Sequence, residues 1–269
     1  MSDEHNGSYI SDTDDAYSAI DIFDVDSNVI DIDEREWQPI LLSSSLSIEL
    51  EPAVAAVWGS ALLVAQWLAR DAPSEVRGKR VLELGAGTSL PSLASAAIGA
   101  SLVLATDYDL SGREATQRAI DRNRALWNCS ARDACHIAVQ RLDWFAVLEP
   151  GYVVPFGSPF DVLLVCDCNY YTRSTPALVQ TIRVHLGNGG RLVLASREGR
   201  NGLADCLRML HEAEWICFEE ACCFCAEPFS AEKIPYVFPA EADSGFAITG
   251  QAEASPRDLM WLFRRVPSA

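Results

Sequence analysis

The sequence predicts an α/β fold: a doubly wound, mostly parallel sheet closed by an antiparallel last strand. Three observations point there. Short, nearly continuous apolar runs recur along the chain at RVLELG (80 to 85), SLVLAT (101 to 106), HIAVQRL (136 to 142), FDVLLVC (160 to 166) and GRLVLAS (190 to 196). Stretches with helical spacing of apolar residues separate them, at 91 to 99, 111 to 127, 176 to 187 and 202 to 213. Strands that are apolar on both faces and joined by amphipathic helices describe a parallel sheet covered on both sides. The third observation is the chain's end. WICFEEACCF (215 to 224) and DLMWLFRRV (258 to 266) follow one another with a polar, Pro- and Gly-containing segment between them and no helix, which predicts an antiparallel pair at one sheet edge.

Ahead of this pattern, SLSIELE (45 to 51) alternates as a short strand. Pro52 then opens a segment in which Val54, Val57, Trp58, Ala61, Leu62, Ala65 and Leu68 recur at helical spacing. The first 36 residues differ in kind. They hold 12 of the 38 acidic residues and one of the 21 basic ones, so the net charge of −17 is mostly theirs. The division predicts an acidic, disordered arm over 1–36 and one domain over 37–269. The remaining body, nearly balanced in charge, lacks the clustered bases that grip phosphate backbones, which argues against a nucleic-acid partner.

The acidic N-terminus does not read as a secretory signal, and no apolar run reaches the ~18 residues of a membrane span. The expectation is a soluble, cytoplasmic chain, with the nucleus as a second compartment, and no membrane partner. The nine cysteines are irregularly spaced and mostly embedded in apolar runs, which suits buried free thiols. Cys222, Cys223 and Cys225 form a CCxC cluster without a second ligand pair, so no metal is expected.

The sharpest local signal is VLELGAGTSLP (81 to 91). A strand runs into Glu83, Leu84, Gly85, Ala86 and Gly87, and a helix starts near Leu90. Glycines there let a ligand approach the backbone amides at a helix N-terminus. A nicotinamide fingerprint would place a third glycine where Leu90 stands, which counts against a dehydrogenase. Asp107 ends the next strand about 20 residues later, where an acid accepts hydrogen bonds from ribose hydroxyls. Glycine turn and acid together indicate an adenosyl cofactor.

VLELGAGTSLP resembles the first motif of the seven-strand S-adenosylmethionine-dependent methyltransferases, whose sheet is Rossmann-like. Further segments resemble the family 16 protein-lysine branch. AVWGSALLVAQWL (56 to 68) matches the element before that motif, LDW (142 to 144) the third-strand motif, and FDVLLVCDCNYY (160 to 171) contains the DxxY signature as Asp167, Cys168, Asn169 and Tyr170. The DCNYY wording is closest to the valosin-containing-protein lysine methyltransferases of that branch.

The resemblance implies transfer of a methyl group from S-adenosylmethionine (AdoMet) to a lysine of a protein substrate. The chain is expected to be a monomer. It places Glu83, Gly85, Ala86 and Gly87 at the cofactor, with Gly85 and Gly87 at its methionine part. Asp107 falls at the ribose and Asp143 at the adenine amino group, with Trp58, Trp144 and Cys166 lining the pocket. Asp167 and Tyr170 become the catalytic candidates, Asp167 orienting the acceptor amine and Tyr170 forming an aromatic wall. Arginine, histidine or a small amine are alternative acceptors, and a weakly active cofactor-binding interaction module is the alternative class.

The sequence departs from the family pattern in three places. Thr88 and Ser89 replace a Thr-Gly pair and are expected to tighten the turn. Arg173 stands near the expected channel mouth. The segment 226 to 257 is longer than in compact relatives and is expected to be a surface loop. The acidic arm lies outside every motif, and its expected task is recruitment of a basic partner.

Overall fold

The computed structural model describes residues 37–51, 57–109, 113–127, 135–153, 159–219 and 258–267. The acidic arm, the CCxC cluster and the 226 to 257 segment lie outside the described residues.

The chain opens with an antiparallel hairpin of β1 (Gln38–Ser43) and β2 (Leu46–Leu50), followed by α1 (Gly59–Arg70). There follow β3 (Arg80–Leu84), α2 (Leu90–Ile98), β4 (Leu102–Asp107), α3 (Arg113–Asn123), β5 (His136–Arg141), β6 (Phe160–Cys166), α4 (Thr175–His185), β7 (Leu186–Arg197), α5 (Leu203–His211), β8 (Ile216–Phe218) and β9 (Asp258–Arg265). Seven strands form one sheet in the order β5-β4-β3-β6-β7-β9-β8. The pairings from β5 through β7 are parallel, and β9 runs antiparallel to both β7 and β8. The expected antiparallel pair is therefore present, with β9 inserted beside β7 and the short β8 left at the edge.

Alternation along the strands explains the two layers. Val81, Val103, Val139, Val162, Leu164 and Val193 point into the layer holding α1, α2, α3 and the hairpin. Their chain neighbours Leu82, Leu104, Leu163, Val165, Leu192 and Leu194 point into the layer built by Leu178 and Ile182 of α4 and by Leu203, Cys206 and Leu210 of α5. Both faces are dry, which is why these runs read as continuously apolar. Truncating a central, wholly buried side chain such as Leu163 to alanine would cost about 2–5 kcal/mol.

Three elements differ from the sequence expectation. Val57 and Trp58, which share the helical spacing, precede the helix: Val57 forms a β-bridge and Trp58 is extended. The hairpin strand β1 was not expected, because QPILLS contains a proline and three consecutive aliphatics; in the fold Ile40 and Leu42 are buried while Leu41 is exposed. The side chain of Asn123 in α3 holds the hairpin, accepting from the Glu49 amide at 2.8 Å and donating to the Glu49 carbonyl at 2.6 Å. The helix expected to run to residue 187 stops at His185, and Leu186 to Gly190 extend β7 instead. Gly187, Gly189 and Gly190 favour that exchange, since glycine is a poor helix former. A Cβ at Gly190 would also lie 3.0 Å from the Asp161 carbonyl of the neighbouring strand.

Candidate active site

The strand order reverses beside β3: the chain moves through α2 to β4 on one side and later returns to β6 on the other. In an open α/β sheet the crevice beyond the carboxyl ends of the strands at such a switch point is where ligands bind. The loops after β3, β5 and β6 carry Gly85 to Gly87, Trp144 and Asp167 to that end of the sheet, and Asp107 is there as the last residue of β4.

The turn after β3 is built around two glycines in the left-handed region, Gly85 at φ +64° and Gly87 at φ +47°. Around Gly87 there is open space where a side chain would stand. At Gly85 a Cβ would lie 2.7 Å from Cys168 Sγ and 3.5 Å from the Trp144 ring, so the loops after β3, β5 and β6 meet there. The Cys168 thiol donates to the Leu84 carbonyl at 3.1 Å, and the Ala86 amide to the Thr106 carbonyl at 2.9 Å. Asp107 closes the arrangement: its Oδ2 accepts the Gly87 amide at 3.0 Å and its Oδ1 the Asp109 amide at 3.2 Å.

Ser89 stands in the left-handed region at φ +59°, where the family pattern has glycine. Its hydroxyl is buried and has no hydrogen-bond partner among the described residues. Glu83, second to last in β3, reaches under the turn and accepts from the backbone amide of Ser92 at 3.0 Å and from the Ser92 hydroxyl. It thereby satisfies a donor in the first turn of α2, as a capping carboxylate would. Burial nevertheless pushes the Glu83 carboxyl up to about 8, because desolvation outweighs these two bonds.

Asp143 accepts the Phe145 amide at 2.9 Å, which fixes the turn that presents Trp144. Cys166 ends β6, and burial pushes its thiol well above the ordinary value, leaving a small neutral group there. Trp58 is the residue immediately before α1.

Asp167 takes a left-handed conformation, φ +56°, at the first position after β6. Such a backbone persists only where its surroundings hold it in place, and it often marks a functional turn. Here the restraints are visible. Oδ1 accepts from Arg200 Nε at 2.9 Å, from the Arg197 amide at 3.2 Å and from the Ser196 hydroxyl at 3.4 Å, while Oδ2 accepts from a second Arg200 nitrogen. The Arg200 guanidinium in turn lies over the Trp58 ring at 5.4 Å. Tyr170 is exposed and packs edge-on against Tyr171, their ring centroids 4.8 Å apart, and Arg173 stacks on the other member of the pair at 5.4 Å.

The structure thus brings Gly85, Trp144 and Cys168 together, joins Gly87 to Asp107, and links Asp167 to Trp58 through Arg200. Sequence reasoning did not include Arg200. It lies in the polar turn REGRNG, and nothing local announces that it folds back on a residue 33 positions earlier. No group of His, Cys, Asp and Glu suited to a metal occurs among the described residues, and no helix there is long and apolar enough to cross a membrane.

With this geometry in place, the comparisons with known proteins give the class. The chain belongs to the lysine methyltransferase family, whose model matches residues 46–213. The protein N-terminal and lysine N-methyltransferase EFM7 of Eremothecium gossypii is 35% identical over 144 residues, 51% of this chain and 52% of that protein. The protein N-lysine methyltransferase METTL21A of Danio rerio is 32% identical over 142 residues, 53% of this chain and 59% of that protein. The chain therefore spans little more than half the length of these relatives. Among solved structures, the ribosomal protein L11 methylase from Lactobacillus delbrueckii subsp. bulgaricus superposes with a TM-score of 0.50 at 17% identity, over 86% of this chain and 100% of that one. A 16S rRNA methyltransferase from T. thermophilus, in complex with AdoMet and guanosine, gives 0.50 at 16% identity over 86% and 50%. At such identities the likeness is one of fold.

Proposed function

We propose that this chain is an AdoMet-dependent methyltransferase whose acceptor is a lysine side chain of a protein. One observation carries the cofactor reading: the Gly87 amide and the Asp107 carboxylate, from the ends of adjacent strands, meet at the switch point of the sheet. The residues suit the ligand. The left-handed Gly87 leaves open space at the turn before α2, Asp107 offers an acceptor to ribose hydroxyls, and Trp144 supplies an apolar edge. In this reading Gly85, Ala86 and Gly87 hold the amino-acid part, with Glu83 bracing the turn. Asp143 lies toward the adenine, and Trp58, Trp144 and Cys166 enclose the remainder.

The cofactor, when bound, supplies a methyl carbon activated on a sulfonium. The protein's tasks are then alignment of the acceptor and exclusion of water. An unperturbed lysine amine, with a pKa near ~10.4, is mostly protonated and cannot attack. The corner of Asp167 and Tyr170 is where we place its orientation. Protein acceptors are supported by the names of the relatives, and EFM7's name favours a second reading, an N-terminal α-amine, which shares the chemistry. The acidic arm would recruit a basic partner, in the cytoplasm or nucleus.

The experiment is methyl transfer from tritiated AdoMet to protein extract, followed by mass spectrometry of the acceptor. Methyl-lysine is expected; label confined to other side chains would reject the lysine reading.

A further inference from the structure

The seven-stranded sheet ends on one side at β5, which pairs with β4 and, among the described residues, with nothing beyond it. The His136 amide donates to the Ser101 carbonyl at 3.3 Å and the Leu142 amide to the Asp107 carbonyl at 2.9 Å. Alternation between them turns the amides of Ala138 and Gln140 toward β4 and those of Ile137, Val139 and Arg141 outward. An open row of this kind is a template for another strand, and β5 has neither a proline nor a bulge to blunt it. Its apolar side chains Ile137 and Ala138, one on each face, are only partly buried. The strand carries two exposed bases, His136 and Arg141, and no acid. Arg141 lies on the Tyr108 ring at 4.8 Å and donates to the Tyr108 carbonyl at 3.2 Å, and it makes no ion pair among the described residues.

The chain itself contains a segment of complementary character. Residues 29–33 read VIDID, which as an extended strand sets Ile30 and Ile32 on one face and Asp31 and Asp33 on the other, with no base among them. The described chain begins at Trp37, over whose ring the Arg122 guanidinium, in the last turn of α3, lies at 5.6 Å. Because α3 returns from the carboxyl end of β4 toward the amino end of β5, the chain reaches the body on the side of this edge. The four steps from Asp33 to Trp37 span up to about 13 Å, against about 10 Å between packed layers.

We propose that residues 29–33 add as a further strand to the outer edge of β5 in the same molecule. Main-chain hydrogen bonds to the outward amides and carbonyls of β5 hold the segment, as in β-augmentation. Its isoleucines cover apolar surface left at the edge, and its acids stand against a strand whose only charges are basic. Beyond Leu142 the strand runs directly into Asp143 and Trp144, so the added strand steadies the turn that presents Trp144. The proposal is independent of the identity of the methyl acceptor.

The test is hydrogen exchange of single amides by NMR on the full chain. The amides of Ile137, Val139 and Arg141 should exchange at least about tenfold more slowly in the wild type than in the double variant Ile30→Pro with Asp31→Pro. Neighbouring residues of a strand point their amides opposite ways, so in either register one of these two positions faces β5 and, as proline, cannot donate to it. Ala138 and Gln140 should be unchanged, which reports that β5 still pairs with β4. If their protection is lost as well, the variant has unfolded, and Ile30→Ser with Ile32→Ser, which removes the apolar face alone, carries the same expectation. Fast exchange at Ile137, Val139 and Arg141 in the wild type, or equal protection in the folded variants, overturns the proposal. So does protection that rises with protein concentration, which would assign the edge to a second copy, and protection that appears only on adding protein extract, which would assign it to a partner's strand.

Discussion

The Gly87 amide donates to Asp107 Oδ2 at 3.0 Å, so the ligand turn after β3 is tied to the last residue of β4. A hydrogen bond to a charged acceptor contributes about 1.5–3 kcal/mol. Asp107→Ala is expected to weaken AdoMet binding by about 10- to 100-fold in calorimetry, through loss of the ribose acceptor and of this tie. Asp107→Asn, which keeps an acceptor oxygen for Gly87, should retain more affinity than the alanine variant. Equal affinity in all three proteins would remove Asp107 from the cofactor site.

Gly85 faces two separate obstacles to substitution. A Cβ would meet Cys168 Sγ at 2.7 Å, and its φ of +64° is unfavourable to any L side chain. Gly85→Ala should lower stability by about 2 kcal/mol, read in urea unfolding. Adding Cys168→Ala should recover only part of the loss, because it relieves the contact and leaves the backbone conformation as it was. Full recovery would show that sterics alone dictate glycine there.

Ser89 holds a left-handed backbone and a buried hydroxyl without a described partner. Both features cost stability, so Ser89→Gly is expected to stabilise the fold by about 1 kcal/mol, raising Tm by about 2–4 °C. A lower Tm would show that the hydroxyl makes a stabilising contact.

Glu83 predicts a pH dependence with a defined sign. Its folded-state carboxyl lies at about 8 against 4.5 for an unperturbed glutamate. Between these values the folded protein keeps a proton that the unfolded chain has released. Stability falls as pH rises through that window, by at most about 1.4 kcal/mol per pH unit from this group. Glu83→Gln stays neutral and should remove that component, so the Tm difference between variant and wild type should grow from pH 5 to pH 8. A constant difference would mean that Glu83 is ionised throughout.

Much of this was legible in the residues because strands dry on both faces read as nearly continuous apolar runs; β3, β4, β6 and β7 were visible for that reason. Gly85, Gly87 and Asp107 were legible because a strand, a glycine turn and an acid at the next strand end are local patterns. What escaped depends on tertiary partners. β1 becomes a strand because α1 and α3 hold the hairpin, with Gln66 and Arg70 donating to the carbonyls of Leu41 and Leu42. After α4 the chain at 186–190 pairs on to β6, where Gly190 comes too close to the Asp161 carbonyl to carry a side chain, a contact across the sheet. Arg200 enters the site through an ion pair across 33 residues, and a polar turn gives no sign of such a partner.

The most direct test of the central claim is mass spectrometry of protein extract incubated with isotopically methyl-labelled AdoMet and the full chain, with Asp107→Ala as the control. The account predicts labelled methyl groups on lysine side chains with the wild type and little or none with the variant. Wild-type protein that binds AdoMet yet labels no lysine, or a variant as active as the wild type, would contradict it.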